Sequence, residues 1–465
     1  MHLLDLPLEV FHLILADLID AIDPDDFTVL QLVNKTFALE ARAVLCTSRT
    51  PWSGRTWQPL VNHLISTRAL APGGTRSYAF CTIRKATEWV AQHSERDCRQ
   101  ICQVLSRSAA FYSSNLLRDA VGWQSGRSQD SLKKEQCDEK EHRLPAAACL
   151  GDIELVRTLI DPDLDINTES DIFGTALVNA AREGHSAVVQ FLLDKGADAA
   201  QNTITWTDPY RNESPFAKKF TVWDPMWPGT PFTALSAAAF AGHEEIVRIF
   251  LDLPADSKLS RSSCSFFHAI SYAAWGGHVR ILQTLISCAD FDAIGPDVTK
   301  SVMQRALKSS AEKGHLDCMQ FLLDAGVPVT VSVPGKETSA LSYAATTGQT
   351  RAVELLLDNG ADVNELATPL TPPIELALEG GFYQTVALLL DRGAEGRGGR
   401  FSVLTQCETP TMMRVLLERG VHERYPWPAK KALQLALEDN RQMLVDLLLE
   451  YGVTVDDIEN TPYWP

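Results

Sequence analysis

The sequence predicts an all-α fold in which most of the chain is a solenoid of paired helices. Two observations carry that expectation. First, one segment keeps returning: a small-residue helix start, a central Gly, an apolar run and a closing Gly. It reads A-L-V-N-A-A-R-E-G-H-S-A-V-V-Q-F-L-L-D-K-G-A-D from Ala176 to Asp198. Second, its central glycines, Gly151, Gly184, Gly242, Gly277, Gly314, Gly348 and Gly381, lie at intervals of 33, 58, 35, 37, 34 and 33 residues. A period near 33 marks a repeat architecture in which each unit buries its apolar face only against its neighbours.

In chain order, the first element is L-L-D-L-P-L-E-V-F-H-L-I-L-A-D-L, followed by D-P-D-D-F-T-V-L-Q-L-V-N-K-T-F-A-L-E-A. Leu6, Val10, Leu13, Ile14 and Leu18 share one helical face, Pro7 sits in a first turn that tolerates it, and Phe27, Leu30, Val33 and Phe37 share a second face. Leu-Pro-x-Glu-Val, then Asp-Asp-Phe-x-x-Leu, then Leu-Val-Asn-Lys-x-Phe resembles the F-box over about residues 3–46. The usual late Trp of that family is absent. The resemblance implies that an exposed apolar face made by Leu6, Pro7, Val10, Leu13, Ile14, Leu18, Leu32, Val33 and Phe37 docks on the adaptor subunit of a cullin-type ubiquitin ligase. Periodicity alone equally allows a helical cap over the solenoid, because a docking face and a core face repeat identically.

Residues 47–123 form a connecting region. Trp89, Val90, Ile101, Val104, Leu105, Leu116 and Leu117 fall at helical spacing there and predict a cap packed on the first repeat. Residues 124–143, Q-S-G-R-S-Q-D-S-L-K-K-E-Q-C-D-E-K-E-H-R, carry almost no apolar side chains and charges of both signs, so a solvated helix or a linker is expected at this boundary.

The solenoid is expected over 144–460, with nine repeats starting near residues 144, 171, 229, 262, 300, 336, 367, 399 and 428. Ala234, Leu235, Ala238 and Ala239 typify a thin first helix whose small side chains admit a close neighbour. Val188, Val189, Phe191, Leu192 and Leu193, or Val353, Leu355, Leu356 and Leu357, typify an amphipathic second helix. Gly196, Gly326, Gly360, Gly393, Gly420 and Gly452 stand just past an apolar run, where a left-handed residue ends a helix. These helix pairs resemble the ankyrin repeat, whose T-P-L-H-x-A signature appears as T-A-L-V-N-A and T-A-L-S-A-A. The signature His is replaced by Val178, Ser236, Ser271, Lys308, Ser342, Glu375 and Gln434, so its turn hydrogen bond must be made otherwise. The eighth repeat lacks the central Gly and is short. The last has Asn440-Arg441 in place of Gly-His and is more charged, which suits a terminal repeat facing water.

The interval of 58 contains an insertion over residues 201–229, the most aromatic stretch of the chain. Insertions between repeats emerge on one face, often the binding face, and Trp, Tyr and Arg dominate interface energies. Trp206, Tyr210, Arg211, Phe220, Trp223 and Trp227 are therefore the candidate target contacts, with fold-back of the rings onto the repeats as the alternative.

Composition narrows the function. The net charge of −17 repels phosphate backbones, so nucleic acid is not the expected partner. No apolar run approaches spanning length, and Asp5 and Glu9 inside the first apolar stretch do not resemble a secretion signal. No membrane partner is expected, and the cytosol or nucleus is. Ten scattered cysteines read as buried reduced thiols, and Cys98 with Cys102 lack the partner ligands of a zinc site. There is no phosphate-binding glycine loop or nucleophile elbow, and Gly396-Arg397-Gly398-Gly399 follows a helix rather than a strand. His185, His243, His278 and His315 occupy one repeat position, where the family resemblance makes them structural, binding loop backbone. No catalytic residue, metal or cofactor is expected. The combination is similar to fungal proteins that join an F-box to ankyrin repeats, which implies a substrate receptor for a ubiquitin ligase. The alternatives are a plain ankyrin scaffold, or a small-molecule-binding protein or enzyme using the groove beneath the aromatic insertion.

Overall fold

The computed structural model describes residues 66, 69–70, 78–112, 140–160, 164–204, 231–254, 259–330, 338–366, 371–395, 403–407, 410–439 and 441–454. They fall into two compact units that divide near residues 269 and 270, with 284–289 grouped in the first. In the first unit, α1 (Tyr78–His93) and α2 (Cys98–Tyr112) pack on each other and on α3 (Lys140–Leu150). Of the apolar positions in α1 and α2, Val90, Ile101 and Leu105 are fully buried. Leu116 and Leu117 lie outside the described residues. Helix α3 begins at Lys140, four residues inside the segment expected to be linker. His142, buried and 2.8 Å from Ser170 Oγ, and Arg143, 5.1 Å over the Trp89 ring, tie that turn to its neighbours.

The helix pairs then follow in the expected rhythm. In the first unit they are α3 with α4 (Ile153–Leu159), α5 (Ala176–Glu183) with α6 (Ser186–Asp194), and α7 (Ala234–Ala241) with α8 (Glu244–Leu251). Next come α9 (Cys264–Gly276) and α10 (Val279–Cys288). The second unit adds α11 (Pro296–Lys313) with α12 (Leu316–Asp324), α13 (Ala340–Thr346) with α14 (Thr350–Asp358), and α15 (Pro373–Glu379) with α16 (Tyr383–Asp391). It closes with α17 (Val403–Gln406), α18 (Pro410–Glu418), α19 (Val421–Arg424), α20 (Pro426–Glu438) and α21 (Gln442–Glu450).

First helices stack on first helices, α3 on α5 on α7 and α11 on α13 on α15, and second helices stack likewise. Their starts follow from Thr-Ala-Leu or Ser-Ala-Leu: Thr175 Oγ1, Thr233 Oγ1 and Ser339 Oγ accept from Val178, Ser236 and Ser342 N–H at 3.4, 3.3 and 3.1 Å. The ends are equally regular. Gly184, Gly242 and Gly314 close first helices in the left-handed region, and the next residue's N–H reaches back to Ala180, Ala238 and Ser310 carbonyls at 2.9, 3.0 and 2.9 Å. Ala176 to Ala181 are entirely buried, whereas in α6 only Val188, Val189 and Leu192 are, Phe191 and Leu193 remaining half-buried. A fully buried side chain of that size contributes roughly 1.5–3 kcal/mol.

In the stretch expected to be the eighth repeat, α17 packs on α20, and α18 on α16 and α21. Its first helix is only four residues long. The terminal pair also leaves apolar side chains in the open: Met443, Leu449, Trp427 and Leu437 are 72%, 50%, 47% and 46% exposed. The reason lies in stacking: the position of Leu437 corresponds to Ala345, which is fully buried in the stack of α13 between α11 and α15.

Candidate protein-interaction surface

The Gly-His pairs lock successive repeats together. His185 Nε2 donates to the Cys149 carbonyl at 3.0 Å, His243 Nε2 to Arg182 at 2.9 Å and His315 Nε2 to Trp275 at 3.0 Å. Each acceptor stands two residues before the central Gly of the preceding repeat, in a last helical turn whose carbonyls lack helical partners. Each ring also lies where a Cβ on that Gly would be. At Gly184 a Cβ would fall 2.6 Å from His243 Cε1, and at Gly277 2.6 Å from His315 Nδ1. Later repeats fill the same place differently: Gln349 faces Gly314 and Phe382 faces Gly348. Burial pushes the His185 ring below the ordinary histidine range, against the raising effect of its bond to Cys149. A ring that donates to backbone in this way is a spacer, and three of the four equivalent histidines hold backbone as expected.

The turns between repeats are built from a second recurring pair. Asp165, Asp198 and Asp362 each accept, at 3.0 Å, from the N–H two residues on. Asn167 and Asn364 then bridge to the following turn, accepting from Asp198 N–H at 2.8 Å and Glu395 N–H at 2.7 Å. The Asp-x-Asn spacing was visible in D-I-N and D-V-N, but its bridging role needs the neighbouring turn in place.

The cap is joined to the first two repeats by polar contacts that periodicity could not reveal. Ser108 Oγ donates to Asn179 Oδ1 at 2.8 Å, and Asn179 Nδ2 donates to the Phe173 and Thr175 carbonyls. Glu183 takes Arg182 from its own helix and Arg107 from α2. Arg96 Nη1 reaches the Leu150 carbonyl at 2.7 Å.

The aromatic insertion springs from a paired stem. Strands β1 (Thr203–Ile204) and β2 (Pro231–Phe232) are antiparallel, with Thr203 opposite Phe232 and Ile204 opposite Pro231. Thr203 Oγ1 donates to the Phe232 carbonyl at 2.9 Å, and both residues are buried. The residues on either side of 205–230 are thus paired, directly before the capping Thr233 of α7. Trp206, Tyr210, Arg211, Phe220, Trp223 and Trp227 lie outside the described residues, as do Leu6, Pro7, Val10, Leu13, Ile14, Leu18, Leu32, Val33 and Phe37.

Burial pushes the thiols of Cys149 and Cys318 up to about 12, away from the nucleophilic thiolate. Among the described residues no group of three or more His, Cys, Asp or Glu side chains is placed to hold a metal ion, and no helix is long and apolar enough to cross a membrane.

Residues 114–215, 270–367 and 307–397 match the family model described as ankyrin repeats, together just under half of the chain. The chain is 26% identical over 270 residues to the "Ankyrin repeat and KH domain-containing protein mask-1" of Caenorhabditis elegans, covering 50% of this chain and 10% of that protein. It is 27% identical over 207 residues to the "Probable E3 ubiquitin-protein ligase XBOS33" of Oryza sativa subsp. japonica, covering 42% of this chain and 34% of that one. The chain thus spans a minor part of the length of either relative. Among solved structures, the human ASB11 ankyrin repeat domain aligns with 59% of this chain and 96% of its own, at 21% identity and a TM-score of 0.32.

Proposed function

We propose that this chain, whose helix pairs are ankyrin repeats, is a substrate receptor of a cullin-type ubiquitin ligase acting in the cytosol or nucleus. Its N-terminal face of Leu6, Pro7, Val10, Leu13, Ile14, Leu18, Leu32, Val33 and Phe37 holds the adaptor subunit, and the repeat array holds the protein to be modified. Ankyrin repeats are protein-binding modules. The observation that carries the finer reading is the ordered match of residues 3–46 to the F-box, placed ahead of such an array. The chain performs no chemistry itself; it raises the effective concentration of a target beside the ligase. Trp206, Tyr210, Arg211, Phe220, Trp223 and Trp227, in the segment between β1 and β2, supply target contacts.

The test is a capture from cell lysate with the intact chain beside a variant carrying Leu6→Ala, Pro7→Ala and Ile14→Ala. Adaptor and cullin subunits are expected with the intact chain and absent with the variant. Their absence from both would reduce the N-terminus to a cap and the protein to a scaffold.

A further inference from the structure

The last helix pair of the second unit leaves open a flank that earlier pairs of that unit bury. Ala311 in α11, Ala345 in α13 and Leu378 in α15 each stand three residues before a central Gly. Ala311 and Ala345 are fully buried, and Leu378, whose successor is the four-residue α17, is half-buried. Leu437 of α20 holds the same place before Asn440-Arg441 and is 46% exposed. Leu449 repeats the trend in α21, at 50% exposed where its counterpart Leu357 in α14 is half-buried. Met443 differs, since its counterpart Arg351 is exposed within the array as well. The flank at Leu437 and Leu449 thus continues the interface on which the preceding repeats stack.

The backbone at the end of α21 leaves as it does where another repeat follows. Gly452 is left-handed, with φ of 77°, and Val453 N–H donates to the Leu448 carbonyl at 3.0 Å. The same closure ends α12, α14 and α16, from Val327 to Leu322 at 3.1 Å, Ala361 to Leu356 at 3.0 Å and Ala394 to Leu389 at 2.9 Å. From each of those closures the chain proceeds to the first helix of the next pair. Residues 455–465, outside the described residues, read V-D-D-I-E-N-T-P-Y-W-P. Thr461-Pro462-Tyr463 restates the opening of the T-P-L-H-x-A signature, with Tyr463 in the place of Leu341, which is fully buried in α13. At about 3.3 Å per extended residue such a segment reaches up to about 35 Å, against a helix diameter of about 10 Å.

We propose that the open flank of α20 and α21 is a docking surface for residues 455–465 of the same chain, with Tyr463 and Trp464 over Leu437 and Leu449. The segment takes the place of a further first helix and keeps the flank from pairing with a second copy. Tethering at Val453 favours it over that copy, because a short link holds its effective concentration in about the millimolar range.

The test is disulfide trapping in the full chain, with Leu437→Cys combined in turn with Tyr463→Cys and with Trp464→Cys. Isotopically light and heavy chains are mixed equally and oxidised in air, and the linked peptides are read by mass spectrometry. Position 437 is expected to link to 463 or 464 at least about tenfold more than a cysteine placed at outward-facing Met443 does, and within one chain only. Equal linkage from Met443→Cys, a majority of mixed light–heavy links, or no link from 437 to either position overturns the proposal. Mixed links would give the flank to a second copy. A second measurement leaves the flank unaltered: Tyr463→Ala with Trp464→Ala is expected to raise hydroxyl-radical oxidation of Leu437 several-fold and to leave that of Met443 unchanged. No rise at Leu437 overturns the proposal equally. Failure of adaptor capture leaves all these outcomes unchanged, so the two readings fail separately.

Discussion

Replacing Gly184 with Ala tests whether the Gly-His pair is an interlock between repeats or merely a helix stop. Gly184 and Gly196 share the left-handed backbone, with φ of 86° and 92°. Either substitution therefore carries a common penalty of about 1 kcal/mol for placing a Cβ in that region. Their surroundings differ. A Cβ at Gly196 meets nothing within 4 Å, whereas at Gly184 it falls 2.6 Å from His243 Cε1 and 2.9 Å from His243 Nδ1. The ring must swing away and break its 2.9 Å bond to the Arg182 carbonyl. Leaving that carbonyl without its partner costs about 1–3 kcal/mol. Gly196→Ala is thus expected to destabilise by about 1 kcal/mol and Gly184→Ala by about 2–4 kcal/mol. The assay is urea unfolding of the full chain followed by circular dichroism, repeated on a His243→Ala background. There the Gly184→Ala cost is expected to fall toward the Gly196→Ala value, since the clash and the bond are already gone. Equal costs for the two glycines, or an unchanged Gly184→Ala cost without His243, would refute the interlock.

Three further outcomes rest on the same kinds of contact. Asn179→Ala orphans the buried Phe173 carbonyl and removes a partner of the Ser108 hydroxyl, and is expected to cost about 2–3 kcal/mol, measured as a shift in urea midpoint. Because burial lowers the folded-state value of His185, the unfolded chain takes up its proton first, so stability is present above the ordinary value of about 6.5 and is lost as pH falls below it. His185→Gln, the residue type that Gln349 supplies at that position, is expected to flatten part of the loss between about pH 7 and 5; an unchanged slope would dismiss the assignment. With their thiols pushed up to about 12, Cys149 and Cys318 are expected to resist alkylation at about pH 8 while exposed Cys264 reacts, as read by peptide mass spectrometry; early labelling of Cys149 would contradict the packing of α3.

Much of the fold was legible because a repeat restates its rules. Thr175-Ala-Leu, the central Gly184 and the closing Gly196 each mark a helix end by local stereochemistry, and the same residues recur one period later. Even the short eighth repeat could be counted, since Met413 and Leu416 keep the apolar spacing of a second helix. The candidate surface was less legible. The aromatic insertion was evident from composition, but its paired stem depends on Thr203 meeting Phe232, a contact 29 residues apart in the chain. The cap joint of Arg107, Ser108, Asn179 and Glu183 left no trace in periodicity, because polar residues at those positions read as ordinary helix surface.

By itself, then, the sequence determined where most repeat helices begin and end and which face of them is apolar, because capping, left-handed glycines and side-chain spacing act within one or two turns of chain. The tertiary structure alone decided what each face meets. The Gly184 and His243 contact, the Asn167 bridge to the next turn and the open end at Leu437 all depend on which residues of neighbouring repeats arrive together. Local rules are written in one helix, whereas a gap or a shared hydrogen bond belongs to two, and its size is set by how closely they pack.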